Sequence, residues 1–109
     1  MNPIIRQHEK SLKELCQRFR VERLYLFGSA ARGQFDPARN DLDFLVSLEE
    51  QSPGDYADNY LDLAQALETL LVRRVDLVTE CSVRNPYLRE TIVNARELLY
   101  DSRDEKVAA

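Results

Sequence analysis

Apolar positions along this chain recur with two different periods, and the switches between them divide it into elements. From Pro3 to Phe19, the residues Ile4, Ile5, Leu12, Leu15, Cys16 and Phe19 fall at helical spacing with Lys and Glu between them. That spacing predicts an amphipathic helix, begun by a proline suited to a first helical position. Val21 to Phe27 is mostly apolar and polar only at Glu22 and Arg23, which predicts a central strand covered on both faces. Gly28-Ser29 stops it. Ala30, Ala31 and Arg32 can form a short helical turn ended by Gly33, and Gln34 to Asn40 reads as a loop marked by Asp36-Pro37. Leu42 to Leu48 is the next strand.

Ser52-Pro53-Gly54-Asp55 breaks the chain and offers caps to a helix from about Tyr56 to Leu71. Its stripe is Tyr56, Tyr60, Leu63, Ala64, Leu67, Leu70 and Leu71. Arg73-Arg74 reads as a solvated connection, and Val75 to Thr79 as a third strand. Asn85-Pro86 starts a last helix, apolar at Leu88, Ile92 and Val93, with Asn94 as a left-handed cap. Leu98 to Tyr100 adds a short edge strand, and Asp101 to Ala109 is polar and expected to fray. The order α-β-β-α-β-α-β predicts a single α+β (α/β-like) domain over residues 1–109, a mixed sheet of about four strands with helices packed on it.

Three features bring chemistry to this frame. Gly28-Ser29 follows an apolar strand, where glycine lets the backbone come close to a ligand and a hydroxyl with exposed N–H groups can hold phosphate oxygens. Taken alone, Gly-Ser is also a common turn. Asp41 and Asp43 flank Leu42, and the two-residue period of a strand turns both carboxylates to one side. Two adjacent acids repel unless a cation neutralises them, and oxygen donors of this kind suit Mg²⁺. Taken alone, they also fit a solvent-facing strand entry. Asp76 sits between Val75 and Leu77-Val78, where an unpaired buried acid is costly. If its strand lies beside that of Asp43, the three carboxylates form one cluster. Such a cluster, next to a phosphate-binding turn, suits nucleotidyl transfer across two metal ions.

Composition narrows the reading. The 109 residues carry a formal net charge of -4, without the basic excess of a chain built to hold nucleic acid directly. No apolar run approaches the roughly 20 residues of a membrane span. Met1 to Lys10 lacks the apolar core of a secretory signal, and Cys16 and Cys81 form no C-x-x-C motif. These features predict a cytoplasmic protein with free cysteines. His8, the sole histidine, reads as a solvated or edge residue.

GSAARG, then DLD, then VDLV resembles the minimal nucleotidyltransferases, compact members of the DNA polymerase β-like superfamily. The resemblance runs from the first strand through NPYLRETI to the terminal ELLY. It implies a nucleotidyltransferase fold, with catalysis and metal binding by Asp41, Asp43 and Asp76 and nucleotide binding by Gly28 and Ser29. Arg32 matches the GSxARG-like pattern and takes a nucleotide- or structure-supporting role. The implied cofactors are Mg²⁺, in a two-metal site, and ATP. The implied partner is a HEPN-domain ribonuclease toxin, silenced by transfer of AMP to one of its tyrosine hydroxyls. His8 lacks an arginine at the upstream spacing of the HEPN motif, so the chain is read as the antitoxin of that pair. Two alternatives stand beside this one: an antitoxin that neutralises its partner by occlusion, and a transferase for a small hydroxylated molecule such as an aminoglycoside.

Overall fold

The computed structural model describes residues 3–28 and 41–103. Ser29, Arg32 and the expected turn and loop up to Asn40 lie outside the described residues, as do residues 104–109. The elements run α1 (Pro3–Gln7), α2 (Glu9–Arg18), β1 (Val21–Phe27), β2 (Leu42–Leu48), α3 (Pro53–Leu71), β3 (Val75–Thr79), a 3₁₀ turn (Glu80–Ser82), α4 (Pro86–Ala95) and β4 (Glu97–Asp101). The four strands form one mixed sheet in the order β3-β2-β1-β4. β1 pairs antiparallel with β2 and β4, whereas β2 and β3 are parallel.

The parallel pair follows from the connection. A hairpin loop cannot join parallel strands, so α3 carries the chain back along the sheet as a crossover. Leu63, Leu67 and Leu71 are buried along α3 at four-residue spacing. They meet Leu24 and Leu26 of β1, Phe44 and Val46 of β2, and Leu77 of β3 in one core, closed by Ile5, Leu12 and Cys16 from the first two helices. Each fully buried Leu, Ile or Phe contributes roughly 1.5–3 kcal/mol. Burial of Cys16 pushes its thiol up to about 12, so it is a packing residue rather than a nucleophile.

Strand alternation gives the sheet a second face. In β2, Leu42, Phe44, Val46 and Leu48 enter the main core, while Leu45 joins Val83 and Ile92 on the other side, with Tyr25, Phe27 and Val78 packed against them. α4 covers this second face incompletely. β1 is therefore central, as expected, but only half-buried on that side.

Several expectations need correction. The single helix expected over Pro3–Phe19 is broken at His8, whose Nδ1 bonds the Ile4 carbonyl at 2.9 Å and whose backbone is not helical. The long helix begins at Pro53 rather than Tyr56, because Ser52 Oγ accepts from Asp55 N at 3.2 Å and proline occupies the first turn. Asn94 is no left-handed cap: α4 runs to Ala95 and passes into β4 through an extended Arg96. Asp101 is not frayed but ends β4 buried, accepting from Arg103 N at 2.9 Å and from its guanidinium at 3.0 Å, which holds the carboxyl below the usual aspartate range. Arg73 is half-buried rather than solvated. Among the described residues, no helix is long and apolar enough to cross a membrane.

The left-handed residue after α3 is Val72, at φ 53° and 85% exposed. A β-branched side chain is strained in that conformation and here gains nothing from burial. Val72→Gly is expected to raise stability by about 1 kcal/mol, read as a higher urea midpoint with unchanged slope. A lower midpoint would show that Val72 makes a stabilising contact.

Candidate active site

The site forms where β1 ends and β2 and β3 begin. The register pairs Leu42 with Val75, Asp43 with Asp76 and Phe44 with Leu77. Leu42, Phe44 and Leu77 belong to the main core, so the intervening Asp43 and Asp76 share the second face as lateral neighbours. Adjacent strands lie about 4.8 Å apart, and like charges directly abreast repel. Asp43 is half-buried and Asp76 exposed, and the Asp76 carboxylate has no partner among the described residues. Asp41 is exposed one alternation before Asp43. The Leu42 N–H donates to the Arg74 carbonyl at 3.3 Å, which sets Arg74 beside Asp41.

Gly28 borders the same carboxylate from the other side. Phe27 is opposite Asp43 in the antiparallel ladder, and Gly28 then turns at φ 73°. A Cβ at this position would lie 3.2 Å from the Asp43 Cγ and 3.5 Å from its Cβ, and nearer still to Oδ2. The close approach expected of this glycine toward a phosphate is thus, within the chain itself, an approach to Asp43. Sequence reasoning missed that role. Its signal is a glycine one step beyond the residue that pairs with an acid, which becomes visible only when the register is known.

Three of the expected site residues, Gly28, Asp43 and Asp76, come together across three strands in the order β1, β2, β3. Asp41 stands at the entry to β2, and Ser29 and Arg32 are outside the described residues. Among the described residues, no three His, Cys, Asp or Glu side chains already converge to hold a metal ion. The donor set is nevertheless one that Mg²⁺ takes: a few carboxylates, with water and substrate phosphates completing the shell. In-register acids on an open face have an electrostatic reason to accept a cation.

The mixed sheet has relatives of known type. The nucleotidyltransferase domain profile matches residues 8–99, and the chain belongs to that family. A protein of Methanocaldococcus jannaschii provisionally named a protein adenylyltransferase is 36% identical over 97 residues, covering 89% of this chain and 90% of the relative. Protein adenylyltransferase MntA of Thermococcus cleftensis is 34% identical, covering 89% and 88%. Among solved structures, one provisionally described as a minimal nucleotidyltransferase is 36% identical with a TM-score of 0.64, covering 85% of this chain and 90% of that one. A Shewanella oneidensis complex of a tri-AMPylated HEPN toxin with its MNT antitoxin matches with a TM-score of 0.60 at 22% identity, covering 94% of this chain and 77% of that one, a likeness of fold alone.

Gly28→Ala tests the close approach. The added methyl group must displace the Asp43 carboxylate and hold an unfavourable backbone angle. The expected cost is about 1–2 kcal/mol of stability, with nucleotidyl transfer per folded molecule falling about a hundredfold. Thermal melting with a pyrophosphate-release assay separates the two effects. Full activity in the alanine variant would show that Asp43 does not depend on Gly28 for its position.

Proposed function

We propose that the chain is a Mg²⁺-dependent protein adenylyltransferase, working as one minimal domain over residues 1–109, that transfers AMP from ATP to a tyrosine hydroxyl of a HEPN-domain toxin and thereby silences it. The single observation that carries this reading is the register that sets Asp43 abreast of Asp76 on an open face, with Gly28 against Asp43. The names of the relatives and the kinship of fold with toxin–antitoxin complexes support the choice of substrate class and partner.

In this mechanism Asp41, Asp43 and Asp76 would hold two Mg²⁺ ions. Bound there, the metal would neutralise charge on the triphosphate and on the departing pyrophosphate. Asp76 accepts the proton of the tyrosine hydroxyl as its oxygen bonds to the α-phosphorus and the bond to the β-phosphate breaks. Gly28 and Ser29 hold the leaving phosphates through the backbone and a hydroxyl, and Arg32 supports the nucleotide or the turn. The protein acts by positioning and charge neutralisation, without a covalent enzyme intermediate. The strand order gives this arrangement a direction. Donor phosphates lie on the Gly28 side of Asp43, and the acceptor hydroxyl arrives on the Asp76 side.

The test is intact mass measurement of a HEPN-domain protein after incubation with this chain, ATP and Mg²⁺. AMP adducts are expected on the partner, absent when a chelator removes the metal. Asp43→Asn and Asp76→Asn should each slow transfer roughly a hundredfold to a thousandfold while the chain stays folded. A partner that is inhibited yet unmodified would overturn the enzymatic reading in favour of occlusion.

A further inference from the structure

Beyond the acids, a groove that the transfer chemistry does not use runs from the second face of the sheet to the edge of β2, where Val46, Leu48 and Tyr56 from the main-core side also line it. It consists of two cavities of about 620 Å³ and 220 Å³. Glu80, Val83 and Arg89 line both, so the two adjoin. The inner part reaches Leu45, the next residue after Asp43 on the same face of β2. The outer part reaches Ser47, Tyr56 and Arg84 at the far end of β2. The groove therefore runs along β2 away from the acids, beginning one alternation beyond Asp43.

Its charge is opposite to that of the chain. The whole sequence carries a formal charge of -4, yet Arg84, Arg89 and Arg96 line the groove. The one acid among its lining residues, Glu80, is engaged by Arg23 at 3.3 Å. Arg96 is committed to the Tyr25 ring, 4.2 Å from its centroid. Arg84 and Arg89 are exposed, and neither guanidinium has a partner among the described residues. The floor between them is apolar, made by Leu45, Val83 and Ile92. A basic, apolar-floored channel in an acidic protein fits an acidic, extended polypeptide, whose carboxylates meet the arginines while an apolar side chain sits on the floor.

We infer that this groove is the docking site for an acidic segment of the acceptor protein, held by Arg84 and Arg89 so that a hydroxyl on the same segment reaches Asp76. The inference rests on the reading of the acids as the transfer site, but its first test needs no chemistry. A fluorescent tyrosine peptide flanked by glutamates, and the same peptide flanked by lysines, are titrated with the full chain in the absence of ATP. The acidic peptide is expected to bind at least about tenfold more tightly, with an affinity that falls as salt rises. Arg84→Glu combined with Arg89→Glu should abolish that preference, and the paired glutamine variants should halve it on a logarithmic scale, with melting temperatures unchanged. Failure of the acidic peptide to bind, equal binding of the two peptides, or undiminished binding by the reversed variant would overturn the inference. So would a single-stranded RNA oligonucleotide that binds through the same arginines more tightly than the peptide. A second arm measures AMP transfer to the HEPN protein, where charge reversal should raise the KM for that protein. Peptide binding without any AMP transfer would overturn the transferase reading alone. Transfer indifferent to the arginines would overturn the docking inference alone.

Discussion

Two carboxylates held abreast in a sheet repel one another, and the parallel pairing of β2 with β3 leaves Asp43 and Asp76 no way to avoid it. The register that creates this repulsion is enforced elsewhere. One residue of slip would move Asp76 onto the core face and bring Leu77 out of the core. Phe44, Val46 and Leu77 therefore hold the acids together, because burying these apolar side chains is worth more than separating two charges at an exposed site. The placement of the acids is thus set by the hydrophobic core beneath them. A cation arriving there would meet both carboxylates on one face.

The two faces of the sheet divide this labour. Helices α1, α2 and α3 cover one face completely, and that core carries the stability. α4 covers the other face only in part, leaving the acids open at one end and a basic groove along the strands. Full coverage would shut out a triphosphate and a protein substrate alike.

Much of this arrangement was legible from short-range pattern. The alternation in Leu42–Leu48 identified a strand with Asp43 on its polar side, and the stripe in Tyr56–Leu71 identified the crossover helix. Both depend on residues a few positions apart, where period alone decides. The pairing of Asp43 with Asp76 was legible only as a condition, because it joins residues separated by a helix and is set by the packing of α3. The contact of Gly28 with Asp43, the break at His8 and the burial of Asp101 were not legible at all. Each comes from one local geometry or hydrogen bond: a positive φ, an imidazole on the Ile4 carbonyl, and Arg103 folding back on a carboxylate. Such contacts leave no periodic trace. The groove escaped notice for another reason, since Arg84, Arg89 and Arg96 look like scattered surface charge until α4 folds back over the sheet.

The turn after α3 shows how closely the site depends on a part of the chain that does no chemistry. A 19-residue helix is about 28 Å long and a seven-residue strand about 23 Å, so α3 overshoots the β2 strand it must retrace. The chain has three residues, Val72, Arg73 and Arg74, in which to reverse and enter β3 in the correct register. Val72 makes the reversal by adopting a left-handed backbone. Glu68 of α3 then accepts from Val75 N at 3.1 Å, and the Arg74 carbonyl accepts from Leu42 N at 3.3 Å. These two bonds fix the first residue of β3 against both the helix it leaves and the strand it joins. Asp76 follows one residue later. Its position abreast of Asp43 is thus set from both ends, by the core beneath Leu77 and by a strained turn above Val75. The strain at Val72 costs stability, but the turn delivers the third acid to the face where the other two wait.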